Sequence, residues 1–103
     1  MPACRLRYTR TADRELDTIL DYIAERKNET TAIAYVAKMR ASFRANTEAG
    51  FTGHPADDLY PGCRKYVYRS HTAILRVRDT DIAVLHIFHG ARNIPALLAE
   101  EFE

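Results

Sequence analysis

The spacing of apolar residues changes midway along this chain, and that change limits the folds available to it. Between residues 12 and 43, apolar side chains recur every three or four positions, which is the period of an amphipathic helix. Between residues 63 and 89, the chain carries short runs rich in Val, Ile, Tyr and Phe, which are typical of strands. Helices followed by strands predict an α+β fold.

The N-terminal half predicts a short strand and a helical hairpin. Residues 4–8 alternate between apolar and basic side chains, as expected of a strand with one solvated face. Thr9 or Thr11 can cap the first helix, which should end near Lys27. Asn28 breaks this helix.

A second helix should be capped by Thr30 or Thr31 and end before Gly50. Two amphipathic helices joined by a few polar residues predict an antiparallel hairpin, whose apolar stripes need a sheet to pack on. The predicted core comprises Leu16, Ile19, Ile23, Val36, Met39, Phe43, Leu75, Val77, Leu85 and Ile87.

The C-terminal half predicts a small, mainly antiparallel sheet. Residues 51–62 contain two glycines and two prolines and should form a loop. Turns at Ser70-His71 and Asp79-Thr80 would connect three strands, and Pro95 would begin a short C-terminal helix. The predicted strands are 63–69, 72–78 and 82–89. The element order is therefore β-α-α-β-β-β with a short terminal helix.

The hairpin between the last two strands decides which residues share a face of the sheet. A two-residue loop would pair Val77 with Ile82, whereas a three-residue loop would pair Arg78 with Ile82. We favour the longer loop because it separates polar from apolar side chains better. The open face of the sheet would then carry Arg76, Arg78 and His86.

Composition excludes several classes of protein. A chain of 103 residues is expected to form one domain, and its net charge of +1 does not by itself attract nucleic acid. Two cysteines are too few for a disulfide framework, and no apolar run could act as a signal peptide or membrane span. These features predict a cytoplasmic protein.

The histidines raise the question of catalysis. His86 and His89 are three residues apart, so on a strand they point to opposite faces and cannot easily share a metal. We expect no metal and no cofactor. General acid–base cleavage of RNA would need a proton-transfer group, such as His86 or His89, and cations around the phosphate. The candidate cations are Arg64, Arg69, Arg76, Arg78 and Arg92. The alternative is that these arginines form a solvated face of the sheet.

The ordered motifs resemble the ParE/RelE superfamily of toxins from bacterial type II toxin–antitoxin modules. The two helices read ADRELDTILDYIAE and AIAYVAKMRASF, and the loop GHPADDLYPGCRKY is similar to the family's G-x-P-x-x-x-L-x-P-G-x-R segment. The chain then closes with HGARNIPALL, much like ParE toxins. The resemblance covers nearly the whole chain and implies the RelE/ParE-like fold.

The resemblance also bears on mechanism. RelE-like toxins cleave mRNA on the ribosome, usually with several lysines or a Glu/His, with arginines and with a tyrosine near the C-terminus. This chain has no tyrosine after HGAR, and Lys65 is its only lysine after Lys38. The resemblance therefore favours a ParE-like inhibitor of DNA gyrase, a binding protein without catalytic residues, in which Arg92 is the best-placed contact. The alternatives are a metal-independent, ribosome-dependent ribonuclease and an inactive relative that only binds its antitoxin.

The resemblance further implies a cognate, ParD-like antitoxin that forms a hetero-oligomer with the toxin. A disordered antitoxin segment would fold onto the helical hairpin or an open sheet edge. No membrane association is expected, and no sequence-specific nucleic-acid binding by the toxin alone. The candidate antitoxin contacts are Leu20, Tyr22, Tyr35, Met39 and Arg40.

Overall fold

Two helices pack on one face of a five-stranded mixed sheet. The computed structural model describes residues 5–59 and 61–89. The sheet order is β1-β5-β4-β3-β2, with β1 parallel to β5 and the other neighbours antiparallel. The elements are β1 (Arg5–Tyr8), α1 (Arg10–Arg26), α2 (Glu29–Glu48), β2 (His54–Pro55), β3 (Arg64–Tyr68), β4 (His71–Val77) and β5 (Asp81–His89). This confirms the predicted α+β fold and adds β2, whereas the helix predicted from Pro95 lies outside the described residues.

Side-chain caps define the starts of both helices. The Thr9 hydroxyl accepts a hydrogen bond from the Ala12 amide at 3.1 Å, as one of the two predicted caps would. The cap predicted for α2 is wrong, because the Asn28 side chain accepts from the Thr31 amide at 2.7 Å and the helix starts at Glu29. The same asparagine therefore separates the two helices and starts the second one.

The hairpin between β4 and β5 closes with the shorter loop. Val77 pairs with Ile82 and the Arg78 amide donates to the Asp81 carbonyl, so Asp79 and Thr80 form a two-residue turn. The prediction of a three-residue loop is wrong at this turn.

A β-bulge at Leu85 then shifts the pairing of the two strands by one residue. Leu75 pairs with Val84, but Ile74 pairs with His86, which leaves Leu85 opposite no residue of β4. Beyond the bulge, His86 lies on the same face as Arg76, as predicted, although the cause is the bulge and not the turn.

The main core lies between the helices and the sheet. Of the predicted core residues, seven are buried there, and Ile23 and Val77 pack partly buried against them. Leu85 was assigned wrongly, because the two-residue turn places Ile82 and Val84 on the helix side of the sheet and therefore Leu85 on the opposite face. There it packs against a second cluster, formed by Ala56, Cys63, Ile74 and Phe88. Neither helix of the described part of the chain is long and apolar enough to cross a membrane.

Candidate functional site

The face of the sheet turned away from the helices is rich in cations. Register and strand alternation place five basic side chains on it, which we call the cationic face: Arg5, Arg7, Lys65, Arg76 and Arg78. Arg7 is paired with Asp81, with 2.6 Å between Nε and Oδ2. The side chains of Arg76 and Arg78 are exposed at one end of β4. This face suits an acidic or phosphate-bearing partner.

Arg64 does not belong to this face. It pairs with Leu75 and lies on the helix side, where its Nε donates to the Thr52 carbonyl at 2.9 Å and its Nη2 donates to the Gly53 carbonyl at 2.5 Å. Gly53 itself has a φ of 90°, and a Cβ there would lie 2.7 Å from the Lys65 carbonyl oxygen. Arg64 therefore fixes the loop that joins α2 to the sheet.

Arg69 is also separated from the other candidate arginines. It occupies the turn between β3 and β4 with a φ of 53°, and its guanidinium lies 5.8 Å from the centre of the Tyr68 ring. At a rise of about 3.3 Å per residue, it is roughly 20 Å along β4 from Arg76. The predicted cluster thus divides, and its remaining member, Arg92, lies outside the described residues.

His86 shares a face with Arg76 but is not displayed to solvent. Only 6% of it is exposed, and its ring stacks on Phe88 with centroids 5.4 Å apart. Its Nδ1 lies 3.5 Å from Oε1 of Glu15, which also accepts a hydrogen bond from the Ile87 amide at 3.0 Å. Glu15 thereby covers the edge of β5 beyond the end of β1. The expectation that His86 belongs to an open surface is wrong.

Two other histidines meet on the helix side of the sheet. His71 was predicted to lie in a turn, but it begins β4, is buried, and pairs directly with His89. Their ring centroids are 4.8 Å apart, and the Tyr35 hydroxyl lies 2.7 Å from Nδ1 of His71. Burial, and secondarily the neighbouring His89, lower the pKa of His71 to about 4. The prediction that His86 and His89 point to opposite faces of the sheet is confirmed.

The predicted antitoxin contacts differ in their access to solvent. Met39 is fully buried in the core, so its assignment to a contact surface is wrong. Tyr22 is 48% exposed with the Arg26 guanidinium 4.5 Å from its ring centre, and Leu20 lines a shallow groove near the tip of the hairpin. Tyr35 and Arg40 are partly exposed.

An apolar surface that we did not predict runs along the outside of α2. It consists of exposed residues at helical spacing, which we call the outer stripe: Ile33, Ala34, Ala37, Ala41 and Ala45. Ile33 is the largest side chain of the stripe and is 53% exposed. Arg44 and Glu48 lie on the same side of the helix, so the stripe is an apolar surface flanked by charges, which is the kind of surface that a partner protein can cover. The alanines of the outer stripe can be recognised in the sequence of α2, but we predicted only one apolar stripe, the buried one, for this helix.

Three or more potential metal-binding side chains do not come together anywhere within residues 5–59 and 61–89. Cys63 is a free, buried thiol whose pKa is raised by burial.

One family model and two solved structures of toxin–antitoxin systems are similar to this chain. A family model described as the ParE toxin of type II toxin–antitoxin systems, parDE, matches residues 6–94. The fold resembles that in a chromosomal ParDE toxin–antitoxin system from P. aeruginosa, with a TM-score of 0.76, 22% identity, and coverage of 88% of this chain and 100% of that one. It also resembles the toxin–antitoxin complex RelBE2 from Mycobacterium tuberculosis, with a TM-score of 0.56, 20% identity, and coverage of 86% and 93% respectively. A search of curated proteins gave no significant match.

Proposed function

This chain belongs to the ParE toxin family of type II toxin–antitoxin systems, and from that premise we propose that it inhibits DNA gyrase by binding and is neutralised by a cognate ParD-like antitoxin. The observation that carries the choice of binding over catalysis is the burial of His86. A proton-transfer group must come within hydrogen-bond reach of the proton that it moves. His86 instead lies against Phe88 and Glu15, with 6% of its surface exposed.

The cationic face is the surface that we assign to the target. Its side chains come from three strands and project from a rigid sheet, so their spacing is fixed before binding. Arg76 and Arg78 lie together at its exposed end. Contacts of this kind accelerate association and select acidic or phosphate-bearing partners.

The same cations favour the second candidate, a ribosome-dependent ribonuclease. A row of arginines can stabilise the charge that develops on a phosphate during cleavage. This mechanism still requires an acid or base, and the buried His86 does not present one. We therefore rank ribonuclease activity below gyrase inhibition.

The two candidates are separated by measuring DNA supercoiling by purified gyrase alongside ribosome-dependent mRNA cleavage. We expect inhibited supercoiling and intact mRNA. Arg76→Ala combined with Arg78→Ala should raise the inhibitory concentration at least about tenfold, the loss of roughly 1.4 kcal/mol of binding. The matched control replaces Arg14 and Arg44, two exposed arginines of the helices, with alanine and should change little.

His86→Gln and Arg92→Ala complete this test. The first should keep most of the inhibition because no proton transfer is needed, and the second should weaken it if the segment after β5 contacts gyrase. Cleaved mRNA with unaffected supercoiling would refute the gyrase proposal. A loss of about 10²–10⁴-fold in mRNA cleavage on His86→Gln would instead establish an acid–base role.

For the antitoxin, we propose docking of an apolar helix along the outer stripe of α2. The solved neighbours named above are toxin–antitoxin systems, and an exposed apolar stripe is what a partner helix recognises. Ala41→Gln places a larger polar side chain on the stripe and should weaken binding at least about tenfold, whereas Asp58→Asn, at an exposed position in the loop after β2, should not. Equal affinities for the two variants, measured by calorimetric titration, would exclude this surface.

A further inference from the structure

The ends of β4 and β5 bring two imidazoles together by register. His71 and His89 are direct partners in the antiparallel ladder, and their ring centroids are 4.8 Å apart at an interplanar angle of 50°. Both lie on the helix side, because Ala73 and Ile87, two residues away on each strand, belong to the core beneath the helices. The sheet itself therefore sets the separation of the two rings.

A tyrosine of α2 orients one of these rings. Tyr35 Oη lies 2.7 Å from Nδ1 of His71, and the two rings meet edge-on at 5.4 Å between centroids. A metal-binding histidine commonly donates its second ring N–H to an oxygen, which fixes both its tautomer and its direction. If Nδ1 donates to Tyr35, Nε2 carries the lone pair that a metal requires.

The protonation state also suits a ligand. Because burial and His89 lower the pKa of His71 to about 4, its imidazole is neutral at physiological pH. Metal binding at this ring does not have to displace a proton at that pH. The raised pKa of Tyr35, caused mainly by burial, keeps its hydroxyl neutral as well.

We propose that His71 and His89 form a two-histidine site for a divalent transition metal such as Zn²⁺, Ni²⁺ or Cu²⁺, with water completing the coordination. Imidazole nitrogen is a preferred ligand for these ions. Each nitrogen would lie about 2 Å from the metal and about 1 Å from its own ring centre, so two rings on a tetrahedral metal have centroids about 5 Å apart. The observed 4.8 Å matches that separation.

A metal at this position would tie the start of β4 to the end of β5. It would bind the folded chain and not the unfolded one, so it would raise the melting temperature. Two protein ligands leave coordination positions open, and the site should therefore bind more weakly and exchange faster than a closed structural zinc site.

The experiment is a calorimetric titration of the chain, prepared without a polyhistidine tag, with ZnCl₂ and NiCl₂. We expect one ion per chain and a higher melting temperature that EDTA reverses. His89→Ala, at an exposed position that should tolerate substitution, should weaken binding at least about tenfold. His54→Ala removes another exposed histidine, on the short strand β2, and is the matched control with affinity unchanged within about twofold.

Two further measurements separate a built site from incidental metal binding. Electron paramagnetic resonance of the Cu²⁺ form should show two coordinating nitrogens in the parent chain and one in His89→Ala. Tyr35→Phe should weaken binding several-fold while keeping two nitrogens, as expected of a positioning residue. The proposal is overturned if no saturable binding occurs, or if His89→Ala binds the ion with the affinity of the parent chain.

Discussion

Glu15 offers a sharp test of how the part of β5 beyond its pairing with β1 is stabilised. β1 pairs only with residues 81–84 of β5, and beyond them Glu15 accepts a hydrogen bond from the Ile87 amide at 3.0 Å. Glu15→Ala would remove this acceptor next to two buried residues, His86 and Ile87. Leaving such an amide unsatisfied costs about 1–3 kcal/mol.

The size of this effect can be resolved in solution. For a domain of this length, about 1 kcal/mol lowers the melting temperature by roughly 4–8 °C. Glu15→Gln retains a carbonyl acceptor and should cost less than about 1 kcal/mol, since the hydrogen bond persists without the charge. Asp17→Ala, at an exposed position on the same helix, is the control and should stay within about 0.5 kcal/mol of the parent.

The assay combines urea denaturation with amide hydrogen exchange. Exchange at Ile87 should accelerate in Glu15→Ala by more than the change in global stability explains, because the edge opens locally. If stability and the Ile87 exchange rate are both the same in Glu15→Ala and in the parent, the carboxylate does not protect this edge.

Three other outcomes are expected. Leu75→Ala, at a fully buried core position, should cost about 2–5 kcal/mol in denaturant unfolding, whereas Leu85→Ala, partly exposed beyond the bulge, should cost less than about 2 kcal/mol; the reverse order would contradict the assigned faces. Stability should decline as the pH falls from 6.5 to about 4, because the unfolded chain protonates His71 while the folded chain does not; His71→Gln should flatten this part of the profile. Gly53→Ala should destabilise by more than about 1 kcal/mol, since the added Cβ meets the Lys65 carbonyl at 2.7 Å, and an unchanged melting temperature would exclude that close approach.

The helices were predictable because their signals are local. The apolar period along α1 identified Leu16 and Ile19 as core residues, and Thr9 was one of the two expected caps. The cap of α2 was missed because Asn28 was interpreted only as the end of the preceding helix. Asparagine is as effective a cap as threonine or better, so a helix break and a helix start can fall on one residue.

The sheet was less predictable because a bulge is a non-local feature. The sequence IAVLHIFH gives no sign that Leu85 is an inserted residue, since the segments on both sides of it contain several apolar residues. The error moved Leu85 into the wrong core. The pairing of His71 with His89 was missed for a separate reason, because His71 was assigned to a turn and not to the strand. Arg64 was also assigned to the wrong face. Its guanidinium donates to the carbonyls of Thr52 and Gly53, and no pattern in the sequence marks these two acceptors.

The bulge in β5 has a consequence for comparing this strand between relatives. Leu85 is the extra residue of the ladder, so deleting it would bring Val84 and His86 into regular alternation, and every later residue of the strand would keep its present face. Residues 81–84 and 86–89 are thus two independently registered segments, one aligned by β1 and the other by its pairing after the bulge. A one-residue gap at Leu85 in an alignment would mark a relative with an uninterrupted ladder, in which the equivalents of His86 and His89 keep the faces that they have here. In a relative of unchanged length without the bulge, they would have exchanged faces.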